Sequence, residues 1–106
     1  MLTIISPDRG KKIQIANNDF NEVMNWHQAK KACGELGIGW RLTWKDFRVM
    51  TEELYHHNKG NFKCNSYWTG SEANDGYIYE HSFYYNNSES TTKTATCYVR
   101  AVRDIK

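Results

Sequence analysis

The chain has 106 residues, of which 40% are hydrophobic and 25% charged, a balance typical of one small globular domain. Fourteen Lys and Arg stand against twelve Asp and Glu, so the formal net charge is only +2. The basic residues are scattered along the chain, which argues against a nucleic-acid partner. We therefore interpret residues 1–106 as a single domain with no nucleic-acid partner.

No run approaches the roughly 20 apolar residues that a membrane span needs, and the N-terminus lacks the apolar core of a signal peptide. We expect no membrane insertion, and a cytoplasmic location stays open. The cysteines Cys33, Cys64 and Cys97 permit one internal disulfide with three pairings. They form no CxxC element, so a structural zinc site is not expected.

Two short β-prone runs open the chain. Residues 2–6 are apolar and β-branched, and residues 12–16 alternate between polar and apolar side chains. The turn sequence Pro7-Asp8-Arg9-Gly10 lies between them, so the pattern predicts a β-hairpin.

The next segment carries the signals of an amphipathic helix over residues 26–36. Asn25 and Gln28 match the capping box, in which each side chain bonds the other residue's backbone. Gly37 is suited to end this helix, because glycine enters the left-handed conformation without a Cβ clash. The predicted inner face consists of Trp26, Ala29, Cys33 and Leu36.

A second helix is predicted from Thr43, which can act as its cap, to a fading end at residues 57–60. Its buried stripe is expected to contain Phe47, Met50 and Leu54. In the short connection before it, alternation would turn Trp40 and Leu42 towards the core.

From residue 61 onward the pattern becomes extended. Residues 67–71 predict a short strand, 72–76 a turn, 77–85 an aromatic strand, 86–92 an exposed loop and 95–102 the last strand. Strands, two helices and further strands in that order indicate an α+β domain with antiparallel pairing.

Four blocks of sequence, in order from Trp26 to Arg103, carry a family resemblance. They are Trp26-x-x-Ala29-x-x-x-Cys33-x-x-Leu36-Gly37-x-Gly39-Trp40-Arg41-Leu42-Thr43, Gly60-x-Phe62, Tyr67-Trp68-Thr69-Gly70-Ser71-Glu72 and Val99-Arg100-Ala101-Val102-Arg103. These blocks resemble the bacterial Lcl-type C-terminal domain. That family belongs to the C-type-lectin-like superfamily, on the branch of the formylglycine-generating enzymes.

The resemblance implies a C-type-lectin-like fold, in which two helices pack on short antiparallel sheets and the N- and C-terminal strands pair. It implies a disulfide between Cys33 and Cys97, to which two buried free thiols are the alternative. It also favours a bacterial cell surface or a virion, and the Phe83 face of the aromatic strand as the packed one. That face would carry Tyr79, His81, Phe83 and Tyr85.

Two departures from the family pattern matter. The family usually has a Pro between the Leu and the Thr of the first block, but here Leu42 is followed directly by Thr43. This difference would change the start of the second helix. The calcium-ligand triplets of sugar-binding C-type lectins are also absent. We therefore expect any binding to be independent of calcium.

Catalytic and metal-binding constellations are not recognisable. The adjacent pair His56 and His57 would diverge at a helix end, and all four histidines are interpreted as solvated. Glu52 and Glu53 fit an exposed helix face better than an acid–base pair. We therefore expect no enzyme activity and no cofactor.

Loops rich in Tyr, Asn and Ser flank the aromatic strand and have the composition of protein-binding paratopes. The predicted ligand-binding residues are Asn74, Asp75, Tyr77, Tyr84, Tyr85, Asn86, Asn87 and Ser88. The sequence thus predicts a recognition module for a protein or glycan, of the adhesin, phage receptor-binding or diversified ligand-binding type. The alternative is a structural, self-associating domain of a larger surface or virion complex.

Overall fold

The computed structural model describes residues 2–7, 10–74 and 76–105. Within them it has an α+β fold of two α-helices and two three-stranded antiparallel sheets. The elements in chain order are β1 (Leu2–Ile5), β2 (Lys12–Ile15), α1 (Trp26–Glu35), α2 (Phe47–Glu53), a 3₁₀ helix (Tyr55–His57), β3 (Ser66–Glu72), β4 (Tyr77–Ser82), β5 (Asn87–Thr92) and β6 (Val102–Asp104). In the described part of the chain, neither helix is long and apolar enough to cross a bilayer.

The first sheet joins the two ends of the chain. Its strand order is β1-β2-β6, so the predicted N-terminal hairpin is present and its second strand pairs with the last strand, with Ile15 opposite Val102. Two residues of the predicted hairpin turn, Asp8 and Arg9, lie outside the described residues. The second sheet has the order β3-β4-β5.

Helix α1 begins where the capping box predicts. The Asn25 Oδ1 accepts the Gln28 backbone N–H at 2.9 Å, and the Gln28 Oε1 accepts the Asn25 backbone N–H at 3.0 Å. Trp26, Ala29 and Cys33 are buried, but Leu36 is 49% exposed. Its predicted place on the inner face is wrong, because the helix ends at Glu35 and the chain then leaves the helix axis through Gly37 at φ +139°.

Helix α2 starts later than predicted. Thr43 does not cap it; its hydroxyl donates to the Asp46 carboxylate, and residues 44–46 form a turn before the first helical residue, Phe47. The predicted buried stripe is nevertheless present, since Phe47, Met50 and Leu54 are all buried. The predicted buried face of this helix is therefore correct, although the helix begins later than predicted.

The interior consists of two hydrophobic clusters, one for each helix. The first lies between α2 and the terminal sheet and contains Ile4, Ile13, Ile15, Phe47, Met50, Leu54, Tyr67, Phe83 and Val102. The second lies against α1 and contains Trp26, Ala29, Cys33, Leu42, Trp68, Ile78, Cys97, Val99 and Ala101. Leu42 is buried as predicted, whereas Trp40 is only partly buried beside the second cluster.

Strand β4 buries side chains on both of its faces. Ile78 belongs to the second cluster and Phe83 to the first, and His81 is also buried. The expectation that only the Phe83 face of this strand is packed is therefore wrong, because the sheet lies between the two clusters. Tyr85 is 72% exposed, since β4 ends at Ser82 and the chain turns over residues 83–86.

The predictions for the C-terminal region need two corrections. Residues 86–92, predicted as an exposed loop, contain the edge strand β5, which pairs with β4 from Tyr77 opposite Thr92 to Ser82 opposite Asn87. Residues 95–102, predicted as a strand, are mostly irregular and make isolated bridges at Cys97 and Tyr98. The last strand is instead the short β6.

A buried ion pair fixes the loops around the first cluster. The Arg100 side chain is fully buried, and its Nε lies 2.9 Å from the Asp19 Oδ1. Its other nitrogens donate to the backbone oxygens of Ala16 at 3.0 Å and Asn61 at 3.2 Å. The Tyr67 hydroxyl donates to the second Asp19 oxygen at 2.7 Å. One guanidinium group thus joins residues 16–19 and Asn61 to the C-terminal segment.

Candidate functional site

The structure separates the predicted ligand-binding residues into two groups at opposite ends of the β4–β5 hairpin. Asn74 and Tyr77 lie where β4 begins, and the other group, residues 84–88, lies around the turn between the strands. From Tyr77 to Ser82 the strand advances about 17 Å at roughly 3.4 Å per residue. Asp75 lies outside the described residues.

The turn between β4 and β5 exposes two adjacent aromatic rings. Tyr84 is 64% exposed and Tyr85 is 72% exposed. Their ring centroids are 4.8 Å apart at an interplanar angle of 86°, an edge-to-face pair. Asn86 follows in the left-handed conformation, at φ +51°, which asparagine tolerates better than most residues.

A shallow depression of about 270 Å³ separates this turn from the start of α2. It is lined by Trp44, Lys45, Phe47, Arg48, His81, Asn86, Asn87 and Ser88. Three predicted residues therefore line one depression together. Sequence reasoning missed the side formed by residues 44–48, because nothing in the helical pattern of α2 indicates which exposed residues face the hairpin.

A second depression, of about 130 Å³, lies beside the same turn. It is lined by Ser66, Glu80, Ser82, Tyr85, Asn87 and Glu89. Glu80 and Glu89 are directly opposite each other on neighbouring strands, so two carboxylates share this side of the hairpin. The first depression instead carries the cationic side chains of Lys45 and Arg48. One depression beside the turn is thus bordered by cations, of which Arg48 is paired with Glu52, and the other by two carboxylates.

Hydrogen bonds join the turn to α2 through one carboxylate. The Glu52 Oε2 lies 3.1 Å from the Arg48 Nε and also accepts the Asn86 Nδ2 at 3.5 Å. The Asn86 Oδ1 is buried and has no hydrogen-bond partner in the described part of the chain. The Asn86 amide therefore still has one acceptor to satisfy.

Trp44 presents a flat aromatic surface on the helix side of the site. Its ring stacks on Tyr79 with centroids 5.0 Å apart and an interplanar angle of 7°, and Trp44 remains 38% exposed. One face of the indole is therefore held by Tyr79. The stacking on Tyr79 therefore sets the orientation of the exposed part of the Trp44 ring.

His81 lies beneath the first depression and is buried, so its interpretation as a solvated histidine is wrong. The imidazole stacks on Phe47 at 4.9 Å, and its Nε2 lies 2.9 Å from the Thr51 hydroxyl. Because that hydroxyl donates to the Phe47 carbonyl at 2.8 Å, the Nε2 acts as the donor to Thr51. Burial lowers the pKa of His81 to about 4. The ring is therefore neutral at pH 7 and supports the floor of the site.

The three cysteines are free thiols in the structure. Cys33 and Cys97 are buried in the same cluster, so the structure has the alternative arrangement and not the disulfide implied by the resemblance. Burial raises the pKa of Cys33 to about 12 and also raises the pKa of Cys97, whose thiol donates to the Glu80 carboxylate at 3.3 Å. Both thiols are therefore protonated at neutral pH and poor nucleophiles.

Comparison with known proteins bears on the fold. No protein-family model matches the chain, and no curated protein is similar to it in sequence. A chain in the solved structure of the von Willebrand factor mutant A1 domain–botrocetin complex is similar in fold, with a TM-score of 0.60 and 15% identity over 92% of each chain. At that identity the likeness concerns the fold alone, but it extends over nearly the whole of both chains.

Proposed function

We propose that this chain is a non-enzymatic recognition domain of the C-type-lectin-like fold, related to the Lcl-type family. It binds a protein ligand through residues 84–88 and the two depressions beside them, without calcium. The ordered sequence blocks from Trp26 to Arg103 support the family, and the missing calcium-ligand triplets support the independence from calcium. The observation that carries the proposal is the exposed tyrosine pair on a turn that has a depression on each side.

The tyrosine pair supports a role in binding. Tyr84 and Tyr85 are more than half exposed although each ring would contribute a large apolar area if covered. Tyrosine offers that contact area with few rotatable bonds, which is why it is common in recognition surfaces. The edge-to-face contact between the rings restricts them further. A ligand that covers the pair therefore loses little side-chain entropy.

The charges beside the turn favour a protein over a glycan. Lys45 and Arg48 lie on one side, and Glu80 and Glu89 on the other. A protein surface can present groups of both signs to match them, whereas a neutral sugar can match neither. The similar chain of known structure also comes from a protein complex, which agrees with this choice.

The test uses the two ends of the hairpin as a matched pair. A double variant, Tyr84→Ala with Tyr85→Ala, and the single variant Tyr77→Ala are compared with the unchanged chain on protein and glycan arrays, followed by biosensor titration of the hits. We expect the double variant to weaken protein binding by more than about tenfold, as for the loss of interface aromatics. We expect Tyr77→Ala, which removes an aromatic side chain at the far end, to bind normally.

Three outcomes would contradict the proposal. Unchanged binding by the double variant would exclude the turn, and loss of binding only in Tyr77→Ala would move the site to the far end of the hairpin. Binding only to glycans on the arrays would show that the ligand is a glycan and not a protein. Circular dichroism of each variant identifies any loss of folding, which would otherwise resemble a loss of binding.

A further inference from the structure

The loop 36–42, which connects α1 to the turn before α2, is surrounded by depressions that share no residue with the site above. Three of them, of about 530, 310 and 320 Å³, meet at Trp40 and Arg41. Arg41 lines the first two and Trp40 the last two, while Gln14 of β2 links the first to the third. Together they form one continuous surface around the loop, which we call the loop 36–42 face.

Two apolar side chains on this face are exposed to solvent. Ile38 is 100% exposed and Leu36 is 49% exposed. Ile38 stands between Gly37 and Gly39, whose φ values of +139° and +89° are ones that a side-chain-bearing residue rarely adopts. The two glycines thus hold the isoleucine out in solvent, where its hydrophobic surface is unused unless a ligand covers it.

Four cations border the face, and two of them form no ion pair with a carboxylate of residues 2–7, 10–74 or 76–105. Arg41 pairs with Asp104 at 2.8 Å and Lys93 with Glu72 at 3.9 Å. Arg103 instead donates to the neutral Gln14 amide at 2.8 Å and lies 4.9 Å from the centroid of the Trp40 ring.

Lys30 is the second of these two cations. Its ammonium lies 4.3 Å from the centroid of the Trp26 ring. Across residues 2–7, 10–74 and 76–105, no carboxylate forms an ion pair with Lys30 or Arg103. Trp40 contacts Arg103 and shares a depression with Lys30. The face therefore offers two unneutralised charges and an aromatic ring that borders both.

We propose that the loop 36–42 face binds an extended acidic peptide segment of a partner protein. Two carboxylates of that segment pair with Arg103 and Lys30, and an aliphatic side chain between them covers Ile38 and the exposed part of Trp40. The largest depression is within the range of about 300–1,000 Å³ typical of ligand pockets. This surface goes beyond the proposed function, because it shares no lining residue with the hairpin site and its occupation can be tested separately.

The small number of cations on this face and the apolar side chains beside them favour a peptide over other anionic partners. Nucleic acids gain affinity from many phosphate contacts, and acidic membranes from clusters of about four to eight cations. Here Arg103 shares a depression with Ile38, and Lys30 shares one with Trp40. A ligand with few carboxylates and apolar side chains between them matches this arrangement best.

The test is a nuclear magnetic resonance titration of the ¹⁵N-labelled chain with a synthetic octapeptide whose two glutamates are separated by Val-Thr-Leu. We expect shifts of the Trp40 indole and of the amides of Ile38, Gly39 and Arg103. A counterpart with lysine in both glutamate positions should give none. Arg103→Gln and Lys30→Gln should each weaken binding by about tenfold, since each removes one charge pair.

Lys31→Gln is the matched control, because it removes the neighbouring cation of the same helix that lines none of the three depressions. Ile38→Ser, at a fully exposed position, tests the apolar contact without disturbing the core. Equal binding of the lysine peptide, shifts confined to other residues, or an equal loss in Lys31→Gln would overturn the proposal. So would the same shifts with acidic vesicles or a DNA oligomer in place of the peptide.

Discussion

His81 is buried against Phe47 and Phe83, and its pKa is lowered from 6.5 to about 4 by burial. The unfolded chain therefore binds a proton at this residue at a higher pH than the folded chain does. Between these two pKa values the unfolded state carries more protons, so the free energy of unfolding falls as the pH falls. Keeping His81 neutral in the folded state contributes about 3 kcal/mol to the free energy of unfolding. This contribution is present above pH 6.5 and is lost by about pH 4.

We expect His81→Phe to reduce this pH dependence. The phenyl ring preserves the stacking on Phe47, and Thr51 keeps its bond to the Phe47 carbonyl. Urea unfolding at pH 7 and at about pH 4.5 measures the effect. Because carboxylates also titrate in this range, the comparison is between variants, with His27→Gln as the exposed control. If the free energy of unfolding of His81→Phe changes with pH as much as that of the unchanged chain, another group determines the pH dependence.

At the scale of the elements, the connection between the helices has one buried and one partly buried hydrophobic residue. Leu42 is 7% exposed within the second cluster, whereas Trp40 is partly buried and one side of its ring faces the Arg103 guanidinium. We predict that Leu42→Ala lowers the free energy of unfolding by about 2–4 kcal/mol, as for buried leucines. Trp40→Ala should lower it by only about 1–2 kcal/mol, because less of its surface is removed from water.

Chemical denaturation of both variants tests this ranking. Val23→Ala is a suitable control, since Val23 is 45% exposed and belongs to neither cluster. A larger loss in Trp40→Ala than in Leu42→Ala would mean that Trp40 is the main hydrophobic anchor of the connection. It would then be a poor candidate for a ligand contact.

Elements with strong local signals were the ones predicted correctly. Helix α1 has both a capping box and a regular apolar period, and each depends only on neighbouring residues. Strand β5 has neither signal, because its sequence Asn-Ser-Glu-Ser-Thr-Thr is that of an edge strand with little apolar surface to bury. Its pairing with β4 therefore had no pattern in the sequence that could have revealed it.

Of the candidate site, the sequence indicated the residues of the hairpin turn but not the residues that other elements bring next to them. The composition of residues 84–88 indicated a tyrosine-rich binding surface, but the pattern assigned Tyr84 and Tyr85 to a strand and not to the turn that they form. The contribution of Trp44 and the pairing of Glu80 with Glu89 depend on which elements meet in three dimensions. No single-sequence pattern contains that information.

At the scale of the whole molecule, Arg100 connects segments that are far apart in the chain. Its guanidinium contacts Asp19, Ala16 and Asn61 and lies 4.1 Å from the centroid of the Phe62 ring. Arg100 lies within residues 95–102, the segment predicted as the last strand, and nothing local in the sequence indicates that its side chain will be buried. Its burial depends on Asp19, 81 residues earlier, which supplies the compensating charge.

We predict that Arg100→Met lowers the free energy of unfolding by roughly 3–5 kcal/mol, because it leaves the Asp19 carboxylate buried without its partner. Asp19→Asn combined with Arg100→Met should cost less than the sum of the two single changes, since neither unpaired charge then remains. Arg41→Met is the control: its pair with Asp104 is partly exposed, and it should cost less than about 1 kcal/mol. If the loss of stability in the double variant equals the sum of the losses in the two single variants, Arg100 stabilises the fold by packing on Phe62 and not by its charge.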